Sequence, residues 1–148
     1  MKFSISIEYA VHALIFMAGN SSKNATQIAT VAKAIAVPEP YLRKIFQQLT
    51  HAGILSSKRG ARGGFHLIQE PAKISLKDVV EAIDGSLPVY ECLRDQRNCA
   101  VTSACHVRAT FERAKQKMAD VLDATSVKDL RDNLVSHRQE AAWLKVSA

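Results

Sequence analysis

Ile54-Leu55-Ser56-Ser57-Lys58-Arg59-Gly60-Ala61-Arg62-Gly63-Gly64-Phe65-His66-Leu67-Ile68 decides the fold of this chain. Residues 54–57 read as a short strand, 58–64 as a tight loop and 65–68 as the returning strand. Three glycines among seven residues between two apolar runs are a strong hairpin signal, because glycine reaches the backbone conformations that tight turns demand. Lys58, Arg59 and Arg62 ride on this tip beside Gly63 and Gly64, whose lack of side chain lets a groove come close. Lysine and arginine neutralise phosphates, and arginine also favours the potential of a narrow minor groove.

Upstream of the hairpin the periodicity is helical. Residues 5–18 are apolar on most faces (Ile5, Ile7, Ala10, Val11, Leu14, Ile15, Met17, Ala18), the mark of a helix buried on several sides. Gly19-Asn20-Ser21-Ser22 stops it. Thr26 is expected to N-cap a second helix running through Ile28, Val31 and Ala32 to Ile35. Pro38 and Pro40 then suit the first turn of a third helix and no later position. In that helix Tyr41, Leu42, Ile45, Phe46 and Leu49 recur at helical spacing. Arg43, Lys44, Gln47 and Gln48 fall on the other face, and the first three are types that hydrogen-bond guanine and adenine edges in a major groove. Downstream, Ser75 opens a fourth helix with Leu76, Val79, Val80 and Ile83 inward, closed by Gly85. Three helices, a hairpin and this helix predict a mainly α fold, a winged helix-turn-helix DNA-binding domain over residues 1–85 with a small β-hairpin wing.

Residues 86–104 lose all periodicity. A loop of about nineteen residues in a compact chain is either functional or disordered, and this one leads into the third of three clustered cysteines. Beyond Cys105 a long amphipathic helix runs to about Leu122, and a second begins near Ser126 with Val127, Leu130, Leu134 and Trp143. A helix that long on a small DNA-binding module is expected to pair with its copy. Residues 86–148 are therefore read as a cysteine-bearing loop (about 86–105) followed by dimerisation helices, and the partners as double-stranded DNA and a second copy of the chain.

Composition bounds the function. The 148 residues are 47% hydrophobic and 23% charged, with a net charge of +6, an ordinary globular balance. Six basic residues (Arg43, Lys44, Lys58, Arg59, Arg62, Lys73) face one acidic residue, Glu70, between positions 43 and 73, so most of the surplus sits on the proposed binding surface. No run approaches the ~18 apolar residues of a membrane span, and no secretory leader is read at the start. A cytoplasmic protein without membrane contact is expected. There is no phosphate loop, nucleophile elbow or paired acid/base constellation, so an enzyme is not expected. His51 and His66 are read as surface residues.

All three cysteines lie within fourteen positions, spaced Cys92-x6-Cys99-x5-Cys105. Structural zinc sites pair ligands two to four residues apart, which disfavours zinc here. Wider, uneven gaps suit a cluster whose separate irons each need a thiolate, and Arg94, Arg97 and Arg108 would offset its negative charge. Spacing alone leaves three readings open: an iron–sulfur site, redox thiols without metal, and inert core cysteines. Glu8 is a second candidate: a charge on an otherwise buried helix face calls for a partner or a metal, and the alternative is a plain helix-surface glutamate. His12 lies one turn beyond it on the same face.

Met1-Lys2-Phe3-Ser4, Glu8-Tyr9-Ala10, Tyr41-Leu42-Arg43-Lys44-Ile45-Phe46, the wing from Lys58 to Leu67, and Asp78-Val79-Val80-Glu81-Ala82-Ile83-Asp84-Gly85 together resemble the IscR/NsrR/RirA family of bacterial transcription regulators. The resemblance runs through roughly residues 1–130. It implies a homodimeric winged-helix repressor or dual regulator carrying an iron–sulfur cluster that reports on nitric oxide, iron or cluster supply, or redox state. It also implies Cys92, Cys99 and Cys105 as ligands, and Glu8 falls where NsrR-like members place a carboxylate ligand. IscR-like members put a histidine three residues beyond the last cysteine; here that position is Arg108, and His106 adjoins Cys105 instead. Lys33 stands where RsrR-like members use a histidine. Three thiolates and a carboxylate fit a 4Fe–4S cluster, with 2Fe–2S as the alternative. Pro38 and Pro40 depart from the family pattern in the third helix, so no operator sequence carries over. A cluster-free repressor of the same fold, sensing oxidants or a small ligand through its thiols, is the competing expectation.

Overall fold

A computed structural model of the chain describes residues 3–20, 25–60, 63–87 and 105–136. Helix α1 (Ile5–Gly19) is the hub. Eight of its residues are buried, among them Ala10, Ala13 and Leu14 with no exposed surface, and it packs against α2 (Ile28–Ala34), α3 (Glu39–His51), α4 (Leu76–Asp84) and α6 (Val127–Ser136). The near-continuous apolar sequence of α1 makes this possible, because a helix with neighbours on most sides has little face to give to water.

Helix α3 follows the expected pattern. Leu42, Ile45, Phe46 and Leu49 are buried, the i, i+3, i+4, i+7 stripe of an amphipathic helix. Pro38 occupies the N-cap and Pro40 the first turn, where a missing N–H costs nothing. The turn between α2 and α3 runs through Ala36 at φ +55°, with Val37 buried behind it. Strands β1 (Leu55–Lys58) and β2 (Gly64–Leu67) pair antiparallel, Leu55 opposite Leu67 and Lys58 opposite Gly64. Phe65 of β2 meets Phe46 of α3 edge to face at 4.9 Å, which seats the wing on the helix.

Thr26 does not cap α2. Gln27 holds the N-cap position, and Thr26 exchanges two backbone hydrogen bonds with Phe65, each 2.8 Å. Pairing with the wing satisfies both its backbone groups, which outweighs what one side-chain cap offers.

Ser75 does cap α4, in a reciprocal box with Asp78. Ser126 and Asp129 repeat the arrangement at the start of α6. The two caps stand side by side, joined by Leu76 N–H to Thr125 O at 2.8 Å and Val127 N–H to Ile74 O at 2.9 Å. Arg131 of α6 then reaches the carbonyl of Ala18 at the end of α1. Helix α5 (His106–Asp123) differs from all the others, for none of its eighteen residues is buried. Among the described residues no helix is long and apolar enough to cross a membrane. Trp143 lies outside them.

Candidate DNA-binding surface and cysteine segment

Burying one stripe of α3 turns Arg43, Lys44 and Gln47 to solvent. Arg43 is paired with Glu39 one turn earlier, the arginine side chain 55% exposed. Such exposed pairs contribute about 0–1 kcal/mol, so exchanging Glu39 for a base edge or phosphate costs little. Tyr41 begins the same helix, but its hydroxyl shares a 2.7 Å hydrogen bond with Ser6 and its ring stands edge-on to Tyr9. That hydroxyl holds α3 against α1. Gln48 is exposed on the polar face, as its spacing predicts, and its amide donates to the carbonyl of Ile83 at 3.1 Å.

In the wing, Lys58 and Arg59 are exposed, while Arg62 lies outside the described residues. Gly63 and Gly64 shape the loop. A Cβ on Gly63 would sit 2.4 Å from the carbonyl oxygen of Lys58, and its N–H donates to Gly60 O at 2.8 Å. Gly64 has φ +149°, and a Cβ there would lie 2.6 Å from the carbonyl oxygen of Thr26. Any side chain at either position forces the backbone apart. The thirty-ninth residue after Thr26 is thus a partner that no local pattern announces. His51 and His66 are exposed, as expected.

The cysteine end is built on α5. Cys105 is its N-cap residue, with a half-buried free thiol, and its carbonyl accepts from the Ala109 N–H at 3.1 Å. Cys105 therefore stands at the N-terminal end of the helix, its side chain making no capping hydrogen bond. His106 is exposed in the first turn, and Arg108 is half-buried. Cys92 and Cys99, with Arg94 and Arg97, lie outside the described residues. Among the described residues no group of three or more His, Cys, Asp or Glu side chains is placed to hold a metal.

Glu8 corrects an expectation. It is exposed, not a charge on a buried face. Ile5 and Glu8 are the exposed residues of α1, with half-buried His12 one turn beyond, and Ile5 itself is 52% exposed. Solvation accounts for the carboxylate, so burial gives no reason for a metal there. Burial of the neighbouring His12 pushes its imidazole below its ordinary value, and the Glu8 carboxylate pulls it part of the way back.

Residues 3–133 match the model of a family described as Rrf2, iron-dependent transcriptional regulator. The chain belongs to the Rrf2 family. The NsrR transcriptional regulator of Geobacillus kaustophilus is 31% identical over 139 residues, covering 93% of this chain and 95% of that one. The structure of CymR, the global cysteine regulator of B. subtilis, superposes with a TM-score of 0.71 at 26% identity over 90% of this chain and 98% of its own. IscR of T. potens does so with a TM-score of 0.71 at 26% identity, over 90% and 88%. The Rrf2 assignment makes this mainly helical, winged chain a DNA-binding transcriptional regulator, not an enzyme.

Proposed function

We propose that this Rrf2 regulator is a homodimeric repressor whose hold on a double-stranded operator is set by its three-cysteine segment, with an iron–sulfur cluster as the sensing group. The carrying observation is α5. Val107, Phe111, Ala114, Met118 and Val121 recur at four-and-three spacing, the seam of a coiled coil, with Met118 at its far end already half-buried against the core. Val107, Phe111 and Val121 are 52%, 46% and 67% exposed. A second copy covers such a seam isologously. Because Cys105 is the N-cap of that same helix, the state of its sulfur and the geometry of the dimer belong to one rigid element. The functional division is the wing and its helices over 1–85 and the sensing and pairing segment over 86–148.

In the dimer the two α3 helices enter successive major grooves about one helical turn apart. Arg43, Lys44 and Gln47 face the base edges, Lys58, Arg59 and Arg62 the phosphates or minor groove. Thr26, Tyr41, Gly63 and Gly64 hold these elements at the right angle.

The donor chemistry fits a cluster: Cys105 offers a soft sulfur at a helix N-terminus, Cys92 and Cys99 supply two more, and solvent-exposed Glu8 is free to turn an oxygen to the fourth position, from its own or the partner subunit. His12 and His106 are the lesser candidates for that position. Bound there, a 4Fe–4S (or 2Fe–2S) group supplies an inorganic centre sensitive to nitric oxide, oxygen or iron withdrawal. Carboxylate oxygen matches iron–sulfur chemistry less well than thiolate, so Glu8 is the weakest grip.

Anaerobic purification with iron, sulfide and visible-absorbance measurements tests this. Wild type is expected to be coloured, and replacement of Cys92, Cys99 or Cys105 by Ala to remove the colour while the helical circular dichroism stays. A full cluster spectrum in the triple variant would remove the metal from the proposal. The second reading, a cluster-free thiol or ligand sensor, draws on the half-buried free thiol of Cys105 and on the likeness to a cysteine regulator. A colourless anaerobic preparation that forms a Cys92–Cys99 or Cys99–Cys105 disulfide, seen by mass analysis, selects it.

A further inference from the structure

Three elements distant in sequence, α1, α3 and α4, are tied pairwise by polar contacts that lie behind the DNA-facing side chains and outside the cysteine segment. The first turn of α1 supplies Ser4 and Ser6, the two ends of α3 supply Tyr41 and Gln48, and the last turn of α4 supplies the Ile83 carbonyl and the Asp84 carboxylate. Ser4 donates its N–H to Asp84 at 3.0 Å and its hydroxyl to the other oxygen. Ser6 and Tyr41 share their bond, and Gln48 Nε2 donates to Ile83.

The charges are placed against α4's own interest. Asp84 is a carboxylate at the negative end of its helix, which is unfavourable, and it becomes favourable only while the positive end of α1 rests against it. Ser4 in turn makes no cap within α1; its cap comes from α4. Ile83 O is one of the last carbonyls of α4, which lack a partner in their own helix, and α3 provides the donor. Immediately beyond, Gly85 turns the chain at φ +81° and Leu87, 2% exposed, pins it to the core. Residue 88 and the cysteines follow. Gln48 adjoins Gln47 of the DNA-facing surface, and Glu8 lies on the same first turn of α1 as Ser4 and Ser6.

We infer that this junction carries the state of the cysteine segment to α3, with Gln48 and Asp84 as positioning residues that touch neither DNA nor sensor; the inference rests on the sensing role proposed above. Shifting the last turn of α4 moves Ile83 and Asp84 together, and Gln48 transfers that shift to the helix whose neighbouring side chain faces the bases.

The test is a ratio of affinities. The full chain is titrated onto a duplex selected by the wild type from a random pool, in three states: reduced without metal, reconstituted with ferrous iron and sulfide, and oxidised with diamide. Wild type should show two states differing by about 5–150-fold, the usual range of coupling. Gln48→Met, which keeps size but loses the donor, should bring that ratio below about 3-fold. Gln48→Lys restores a donor of similar reach and should keep the ratio, its added charge strengthening all states alike. Asp84→Ala should behave as Gln48→Met, and Asp84→Asn, which keeps an acceptor for Ser4, should retain most of the ratio. A Gln48→Met protein that weakens equally in every state, or that keeps the full ratio, overturns the junction's role and leaves the sensing role standing. A wild-type ratio of one overturns both.

Discussion

The two longest helices, α1 and α5, are built by opposite rules. Fifteen residues of α1 include eight buried ones, whereas none of the eighteen residues of α5 is buried. Helix α1 finds its apolar partners inside its own chain, on four other helices. Only Met118, Ala119 and Leu122, near the far end of α5, are packed against the core, each half-buried; Val107 and Phe111 project nearer Cys105. A helix whose apolar stripe is answered within the chain stabilises the monomer. One whose stripe runs past the core is the surface on which the proposed self-pairing rests, with Cys105 at its base.

The sharpest separation comes from the largest effect. Leu14 is fully buried at the centre of α1, so Leu14→Ala is expected to lower unfolding stability by about 2–5 kcal/mol. Urea denaturation should show this loss at every protein concentration. Phe111→Asp in α5 should do the reverse. Circular dichroism should stay helical, sedimentation should report a monomer at concentrations where the proposed wild-type dimer is expected, and affinity for a two-half-site duplex should fall by at least about 100-fold, the scale of losing a linked second contact. A Phe111→Asp protein that sediments as wild type would contradict the assignment of α5 to self-pairing.

The reading surface is the control for both helices. Arg59→Ala should leave stability and association unchanged, reduce the salt slope of DNA binding by about 0.9 and weaken binding to all sequences alike. An unchanged slope in a salt titration removes Arg59 from the phosphate contacts.

What the sequence made legible is what local chemistry dictates. Gly63 and Gly64 stand where a side chain would strike backbone, so the hairpin announced itself. The stripe Leu42, Ile45, Phe46 and Leu49 and the punctuation by Ser75 and Gly85 were equally plain. The losses came where a distant partner decides. A threonine before an apolar run is a cap or a strand residue, and Thr26 became the second because Phe65 lies opposite. Glu8 was weighed as a ligand on a buried face against a surface glutamate, and the apolar composition of α1 conceals that it lies exposed beside Ile5. Gln48 is exposed like its neighbour Gln47, as spacing predicts, but only the meeting of α3 with α4 shows that its amide also bonds Ile83. The cysteines stood out by their clustering, and the placement of Cys92 and Cys99 lies outside the described residues.

The smallest effect concerns the helix that joins the two designs. α6 packs on α1 and follows α5 directly, and its start is fixed by Ser126 and Asp129. The Ser126 hydroxyl and N–H hold the Asp129 carboxyl below its ordinary value. A carboxyl depressed in the folded state contributes stability that is fully present above its unfolded value of about 3.9 and is lost as pH falls through the folded one. Ser126→Ala should therefore lower the melting midpoint by about 2–6 °C at neutral pH, and the gap from wild type should narrow below pH ~4. Ser75→Ala removes the matching cap of α4, which packs against α1, α3 and α5, and serves as the reference. If α6 is what ties α5 to the core, Ser126→Ala should raise amide exchange in 106–123 as well as in α6, while Ser75→Ala raises it first in α4. Exchange confined to α6 in the Ser126 variant would mean that α5 holds its position by its own contacts with α4, and the contrast between the two long helices would be softer than their burial implies.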